Sequence, residues 1–503
     1  MLFTKERGYD PEIAQATKAT TSSDQDLPFT PKEIAIHSSS LQEGRTWYAK
    51  AHRYMSRFGV ESRGIERVPS DERSAANMSQ IGTLWLSANM VVSSFALGAL
   101  SYPVFYLGFV DTILIILFVN LLGILPVCFF STFGPRFGLR QMVLSRFYFG
   151  WYGVKIIAIL NTLACIGWSA INVIVGAQLF NAVNPGMPGW AGIIVIAMAT
   201  FIVTLFGYKI VHVYERYSWI PCFIIFLVVL GEFVHSGKFF NVPMGFGKSE
   251  VGACLSFAAS IFGFATGWTS YAADYTVYQP VDRSRKSEQL LLQPWLLTAE
   301  IMCSRPTTLA LESEGSSPQF SFLRLGDSAS SALSSSLSII ANNCPNIYSV
   351  SLSLQVLSSA TARVPRFVWT FVGTLVYCGI AIPGYASFES VLENFMLLIA
   401  YWLAIYEGIA LSEHFFFKKG FEGYRPENYM DASRLPPGIA AMIAFLFGVM
   451  GAVLGMAQVW FTGPIGKLCG LKYGGDVGFE LAFAFSAISY CGLRWAEIKK
   501  FGR

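Results

Sequence analysis

The chain has 503 residues, of which 53% are apolar and only 14% are charged, and its formal net charge is +4. A soluble protein carries about 25% charged residues, so these few charges argue against a soluble multidomain enzyme and against a disordered chain. The small net charge also argues against a nucleic-acid partner. The nine cysteines are scattered singly, without a CxxC pair or a Cys/His cluster, which favours buried apolar positions over a disulfide scaffold or a metal site.

Residues 1–80 form a polar segment that is rich in Ser, Thr, Lys and Arg. This composition is typical of a solvated tail without a packed core. The segment contains no apolar h-region, so no cleaved signal peptide is predicted. We interpret it as a cytoplasmic N-terminal tail.

Long apolar runs follow the tail, and a helix needs about 20 apolar residues to cross a bilayer. We predict eleven membrane spans, at 81–106, 110–133, 151–182, 189–207, 216–236, 251–273, 333–359, 366–385, 388–412, 436–460 and 475–494. The sequence therefore predicts an all-α, multi-pass membrane protein that lies in the lipid bilayer.

The orientation of the spans follows from Lys and Arg, which are enriched in cytoplasmic loops. The N-terminal tail and the loops after spans two, four and six are basic, whereas the loops after spans one and three carry neither residue. The later loops at 360–366 and 418–425 and the tail at 495–503 are basic too. Both chain termini are therefore predicted to be cytoplasmic, which requires an even number of spans between Lys286 and Arg363.

The segment 287–332 conflicts with this requirement, because only the span 333–359 is recognisable between those two residues. Its longest charge-free apolar piece is about half a span, and the rest is interrupted by Glu300, Arg305, Glu312, Glu314, Arg324 and Asp327. Either several charges would enter the bilayer, or all later helices would be inverted and separated from the earlier ones. Both outcomes predict that the chain does not reach the plasma membrane as a working carrier.

Polar and aromatic side chains within the apolar spans are the candidate functional residues. Such groups are costly in hydrocarbon and usually face a cavity or a partner helix. The first span holds Ser87 and Asn89, and the third holds Trp168 and Asn172. The last two are four residues apart and therefore share one helix face.

Two further spans carry residues that favour a broken helix or an exposed amide. In SIFGFATGWTSYAADY, Gly263 and Gly267 make unwinding easy, and Trp268 follows directly. In the motif ANNCPN, Pro345 removes a backbone donor and opens a carbonyl. In the same motif, hydrogen-bond donors and acceptors are offered by the side-chain amides of Asn342, Asn343 and Asn346.

Each of these residues has an ordinary explanation. A Trp often anchors a helix at the membrane interface, and a single Asn often bonds a neighbouring helix. Together, however, two Trp within spans and several amides suit a flat heterocycle with hydrogen-bonding edges, better than they suit an α-amino acid. Broken helices near the bilayer midplane are typical of a secondary transporter site.

Several runs closely resemble the fungal purine–cytosine permeases of the nucleobase–cation–symport-1 family. They are TLWLSAN, FATGWTSYAADYTVYQP, IIANNCPNIYSVSLSLQVL, VPRFVWTFVGT and ESVLENFMLLIAYWLAIYEGI, within roughly 60–283 and 337–503. The resemblance implies twelve spans with a leucine-transporter-like core of two inverted five-helix repeats. These would occupy 81–236 and 251–412, with two more helices in 436–494.

The resemblance also implies what the protein carries and where. It implies proton-coupled uptake of cytosine, adenine, guanine and hypoxanthine at the plasma membrane, with no enzymatic activity and no bound cofactor or metal. The substrate positions of the family, on four helices that line one central cavity, fall on Ser87, Trp168, Asn172, Trp268, Asn342, Asn343, Pro345 and Asn346.

The departure from the family is 287–332, which stands where the seventh span is expected. A shifted or mis-spliced reading frame would produce an aberrant stretch of this kind. The alternative function is therefore a paralogue or an erroneous product that binds or transports nothing. The preferred nucleobase and the oligomeric state stay open.

The carboxyl group for proton coupling is harder to assign. A buried carboxyl can carry a proton at neutral pH, and those that lie in or beside spans are Glu215, Glu232, Asp274, Glu393 and Glu407. Glu393, in the tenth helix of the family scheme, is our choice for a proton-linked or gating group. Glu215 and Asp274 are further candidates, but for these two we favour an ion pair with a nearby Arg at the cytoplasmic face. Sodium stays an alternative coupling ion, since backbone carbonyls can bind it without a sequence signature.

Overall fold

The structure is a computed structural model that describes residue 54 and residues 63–73, 78–206, 208–236, 243–281, 329–471 and 473–503. Most of the predicted aberrant segment 287–332, and most of the N-terminal tail 1–80, lie outside the described residues. The described part is almost entirely helical, as the apolar runs predicted.

Thirteen helices carry the architecture of the described ranges. They are α1 (Met78–Asn89), α2 (Val92–Ala99), α3 (Phe109–Ser131), α4 (Arg146–Val183), α5 (Gly189–Leu205), α6 (Tyr208–Tyr217), α7 (Trp219–Ser236), α8 (Lys248–Thr266), α9 (Ala329–Val356), α10 (Arg366–Gly384), α11 (Phe388–Ser412), α12 (Ile439–Gly455) and α13 (Gly478–Phe501). Each of the eleven predicted spans coincides with one of these helices or with the pair α1 and α2.

Five helical stretches of the described residues are long and apolar enough to cross a membrane, and a sixth is added if α1 and α2 form one bent span. The outward-facing side chains fit a lipid environment, since large apolar residues are exposed on several helices. Phe118, Ile202, Leu375 and Leu446 are each more than half exposed. In water, such a surface would be an aggregation hazard.

Two helices are interrupted near the middle of the molecule. The axes of α1 and α2 differ by 54° across the break that follows Asn89. Helix α8 ends at Thr266, and after Gly267 and Trp268 a short 3₁₀ helix runs from Thr269 to Tyr275. A side chain at Gly263 would collide with the carbonyl of Met396 on α11. Gly263 therefore serves close helix packing, and the break predicted from Gly263 and Gly267 falls at Gly267.

The interior is built around α9, which packs along α4 and also contacts α1, α5, α7 and α10. Helix α8 packs between α3 and α11, and the pair α12 and α13 covers α11. Because α9 lies against α4 and α1, the ANNCPN motif stays with the earlier helices. The orientation of the later helices in a membrane stays a prediction, because most of 287–332 lies outside the described residues.

Two glycines with positive φ join the start of α4 to the segment before α12. Gly150 has a φ of 69° inside α4, and Gly438 has a φ of 83° directly before α12. A Cβ at Gly150 would collide with the carbonyl of Pro436, and one at Gly438 with the carbonyl of Phe149. Only glycine permits both the left-handed backbone and this close approach.

An ion-pair cluster ties α13 to α11 at the end predicted to be cytoplasmic. The guanidinium of Arg494 lies 3.1 Å from Glu413 and 2.7 Å from Glu497, and all three side chains are buried. The hydroxyl of Tyr490 donates to the same Glu413 carboxylate at 3.0 Å. Removing one partner of a buried pair leaves an uncompensated charge, so this cluster holds α13 in place.

Candidate functional site

The centre of the site is the side chain of Asn342 on α9. Its Nδ2 donates to the carbonyl of Ala88, which lies in the last turn of α1 and therefore lacks a helical partner. Its Oδ1 accepts from Asn172 Nδ2 on α4 at 2.6 Å. The Oδ1 of Asn172 accepts in turn from the hydroxyl of Ser93 on α2 at 2.6 Å. A chain of amides thus joins α1, α2, α4 and α9.

Asn346 extends this chain one helical turn further along α9. Its Nδ2 donates to the Asn342 carbonyl at 3.0 Å, and its Oδ1 accepts from the hydroxyl of Tyr271 at 2.9 Å. Tyr271 belongs to the 3₁₀ helix that follows the break of α8. The amide cluster therefore reaches the second broken helix as well.

Trp268 connects the two helix breaks directly. Its indole Nε1 donates to Asn89 Oδ1, the last residue of α1, at 3.0 Å. The ring packs edge-to-face against Trp85 at 5.4 Å and against Tyr271 at 5.5 Å between centroids. A backbone movement at one break therefore changes the contacts that Trp268 makes at the other.

Trp168 approaches the break of α8 from α4. It is buried between Phe264 and Phe395, with ring centroids 5.6 and 5.9 Å away. A Cβ built on Gly267 would lie 3.5 Å from its Nε1. The predicted shared face of Trp168 and Asn172 thus carries an aromatic group at the break and an amide in the cluster.

Ser87 lies away from this cluster. Its hydroxyl is hydrogen-bonded to the hydroxyl of Ser218, between α6 and α7. Successive residues of a helix point about 100° apart, so the contacts to the cluster come from Ala88 and Asn89 instead. Asn89 is among the residues that the sequence marks, whereas Ala88 is not, because a main-chain carbonyl leaves no mark in the sequence.

Asn343 and Pro345 make their contacts outside the amide cluster. Asn343 Nδ2 donates to Thr200 on α5 at 3.4 Å, and its Oδ1 accepts no hydrogen bond from a described residue. The carbonyl of Pro345 accepts from the hydroxyl of Tyr275 at 2.7 Å, and α9 continues past the proline. The motif therefore offers Asn342 and Asn346, four residues apart on one face, to the cluster.

Asp274 lies at the end of the 3₁₀ helix, next to Arg140. Its Oδ1 accepts from the backbone N–H of Gln141 at 2.8 Å and its Oδ2 from Ser349 at 3.2 Å, while Arg140 donates to its main-chain carbonyl. The favoured Arg neighbour is thus present, but Arg140 contacts the main chain of Asp274, and the carboxylate is bonded to Gln141 and Ser349 instead. Its carboxylate ties the break of α8 to α9.

Glu215 differs from that prediction. It is fully buried on α6 beside Ser87 and Cys344, and it makes no hydrogen bond or ion pair with a described residue. The favoured pairing with Arg is wrong here, because the side chain points inward rather than towards the basic loop. Glu393 is half-buried near the start of α11, two residues before Phe395.

A further set of potential ligands comes from two helices that are distant in sequence. Asp111 of α3 and Glu250 and Cys254 of α8 place their ligand atoms within 4.8 Å of one another. Both carboxyl groups lie in the first turn of their helix, where the helix dipole favours a negative charge. No short spacing in the sequence reveals this grouping.

Comparison with known proteins assigns the family. Residues 67–314 match the model of permeases for cytosine/purines, uracil, thiamine and allantoin, so this match ends inside 287–332. The purine-cytosine permease fcyB of Emericella nidulans is 52% identical over 98% of each chain. The purine-cytosine permease FCY2 of Saccharomyces cerevisiae is 39% identical over 98% of this chain and 95% of its own.

Solved structures agree with the fold. Mhp1, a nucleobase-cation-symport-1 family transporter in a closed conformation with bromovinylhydantoin bound, superposes with a TM-score of 0.66 at 14% identity, covering 88% of this chain and 96% of Mhp1. A Na⁺-coupled sialic acid symporter gives 0.56 at 12% identity, covering 92% and 96%. The chain therefore belongs to the purine–cytosine permease family and is an all-α, multi-pass membrane transporter with a leucine-transporter-like fold.

Proposed function

We propose that this protein is a secondary transporter of the plasma-membrane type that moves cytosine and purines by alternating access, in symport with protons, and that 287–332 limits its delivery to that membrane. The observation that carries the proposal is the amide cluster of Asn342, Asn172 and Asn346 beside the two helix breaks. The relatives that share this chain's length are purine–cytosine permeases. The solved transporter of this fold holds a hydantoin, which is also a flat ring with amide edges.

The cluster can bind a nucleobase because its amides are hydrogen-bonded to one another, to main-chain carbonyls and to hydroxyl groups, and a base can replace these partners. Exchanging an amide–amide bond for an amide–base bond changes the free energy little, whereas leaving a buried amide unpaired costs about 1–3 kcal/mol. Cytosine, adenine, guanine and hypoxanthine all present donors and acceptors on their edges and an aromatic face. Trp168 and Trp268 supply the aromatic surfaces at the break of α8.

The coupling ion is proposed to be the proton, with Glu215, Asp274 and Glu393 as candidate groups. Of the three, we favour Glu215. Its buried carboxyl lies beside Ser87, the residue that precedes Ala88 in α1, and none of the described residues forms a hydrogen bond with it. We place both termini in the cytoplasm, on the basis of the basic loops.

Uptake into liposomes tests this proposal without depending on delivery to the cell surface. The purified full-length chain is reconstituted, and radiolabelled cytosine is offered with the outside more acidic than the inside. We expect accumulation that a protonophore abolishes and that adenine, guanine and hypoxanthine inhibit. Accumulation driven by a sodium gradient alone would replace the proton by sodium. The absence of both binding and uptake would support the alternative that this product transports nothing.

The two tryptophans are expected to respond differently to replacement by phenylalanine. Trp168→Phe should retain most cytosine binding, because an aromatic face remains and stacking adds about 0.5–1.5 kcal/mol. Trp268→Phe should lose about 5- to 150-fold, because Asn89 Oδ1 also loses its indole donor. Equilibrium binding to the purified variants measures both, with the two alanine variants as the lower reference. Equal binding by the two phenylalanine variants would contradict a role for the indole N–H.

A further inference from the structure

A buried carboxyl group lies directly behind the break of α8. Glu407 of α11 is 2% exposed, and its Oε1 is hydrogen-bonded to the hydroxyl of Thr266. Thr266 is the last residue of α8, and its hydroxyl also shares a 3.0 Å hydrogen bond with that of Thr269, the first residue of the 3₁₀ helix. We call these three residues the break clasp, because they bridge both sides of the interruption.

The break clasp contains no counter-ion. Glu407 makes no ion pair with any Lys, Arg or His of the described ranges. On its own helix, the neighbouring Tyr406 directs its hydroxyl to Gln141 and Ser145 at 2.9 Å each. From α13, Glu480 faces the same space, and α3 contributes only apolar residues there. An ionised carboxylate would therefore depend on the two threonine hydroxyls for its stabilisation.

Glu407 faces a cavity that none of the amide-cluster residues lines. It lines a cavity of about 480 Å³ between α3, α8, α11 and α13, whose other walls include Leu125, Phe129, Phe262 and Phe479. Trp268 and Tyr271 project from the other side of the same break towards Asn89 and Asn346. The carboxyl and the amide cluster thus flank one movable turn from separate sides.

We propose that Glu407, rather than the three candidate carboxyl groups named above, binds the transported proton and that its protonation controls the turn of α8 that carries Trp268. The proposal rests on proton-coupled transport. Hydrogen bonds to a carboxylate are about twice as strong as neutral ones, so loss of the proton draws the Thr266 and Thr269 hydroxyls onto Glu407 and fixes the turn. Binding of the proton weakens those bonds, and the turn can close with Trp268 and Tyr271 on the nucleobase.

This arrangement couples proton and nucleobase through a shared conformational equilibrium. If a proton favours the conformation that binds the base, the base favours proton binding by the same factor. Such couplings typically amount to about 5- to 150-fold in affinity. Return of the deprotonated carboxyl to the break clasp then resets the turn after release.

Glu407→Gln tests the proposal, since the amide keeps a hydrogen-bonding group but cannot titrate. In liposomes with the full-length protein, we expect this variant to exchange internal cytosine for external cytosine but to lose accumulation driven by an acid exterior. The acid-induced gain in cytosine affinity, about 5- to 150-fold in the unaltered protein, should disappear. Glu480→Gln, in the same cavity but outside the break clasp, is the matched control and should retain both.

The outcomes separate the assignment of Glu407 from proton symport itself. Proton-driven accumulation by Glu407→Gln would overturn the assignment of Glu407 while leaving the proposed function intact. The absence of proton-driven accumulation by the unaltered protein would instead refute proton symport itself. If Glu407→Gln does not fold, Thr266→Val provides the second test, because it keeps the carboxyl and removes the clasp hydroxyl. An unchanged pH dependence of cytosine binding in that variant would also overturn the proposal.

Discussion

Replacing Asn342 by alanine is expected to lower the affinity for cytosine by about 100-fold or more. The side chain is bonded to the Ala88 carbonyl, Asn172 and Asn346. Its removal leaves buried groups unpaired, at about 1–3 kcal/mol each, and about 1.4 kcal/mol corresponds to a tenfold change in affinity. Equilibrium binding of radiolabelled cytosine to the purified full-length protein measures the effect.

Asn343→Ala is the matched control for this variant. The two residues are adjacent in sequence and equally buried, but Asn343 donates one 3.4 Å hydrogen bond to Thr200, and its Oδ1 accepts none from the described ranges. We expect its alanine variant to lose less than about tenfold in affinity. The melting temperature of both variants reports whether either is simply unfolded. Equal losses in the two folded variants would contradict the central position of Asn342.

Exchanging 287–332 for the corresponding stretch of the Emericella relative is expected to raise the amount of protein at the cell periphery at least tenfold. A Lys, Arg or Asp at the centre of the bilayer costs about 2.5–3.5 kcal/mol on insertion scales. The cost of a single such charge already exceeds the roughly 1.4 kcal/mol that corresponds to a factor of ten. The measurement is a C-terminal fluorescent tag combined with radiolabelled cytosine uptake in a fungus that lacks its own permeases.

The control exchanges 366–385 for the relative's residues in the same way, which should leave the surface level of the protein unchanged. Peripheral fluorescence and saturable, proton-dependent uptake by the unaltered chain would contradict the prediction. That result would mean that 287–332 crosses the bilayer or is accommodated outside it without blocking delivery.

The helices were predictable because the bilayer imposes one strong condition. An apolar run of about 20 residues has few other uses, so α3, α4 and α11 follow directly from the sequence. Trp168 and Asn172 were predictable for a similar reason, since helical spacing places residues four apart on one face. In both cases the relevant physics is local along the chain.

The errors arose where the direction of a side chain depends on a distant segment. Polarity marked Ser87, but only the packing of α6 and α7 against α1 shows that it faces Ser218. Gly263 could serve either unwinding or close packing, and the position of α11 decides for packing. The bond between Glu407 and Thr266 joins residues that are 141 apart in the chain, so no pattern in either segment alone indicates it.

The facing glycines at 150 and 438 constrain how this protein can change. Each backbone occupies the space that a side chain on the other segment would require, so neither position can be substituted while the other segment stays in place. A library that randomises Gly150 alone should therefore return only glycine among functional clones, and the same holds for Gly438. Even a double substitution would have to separate the start of α4 from α12. The two glycines are therefore expected to be retained or lost together. They hold the start of α4, the helix that carries Trp168 and Asn172.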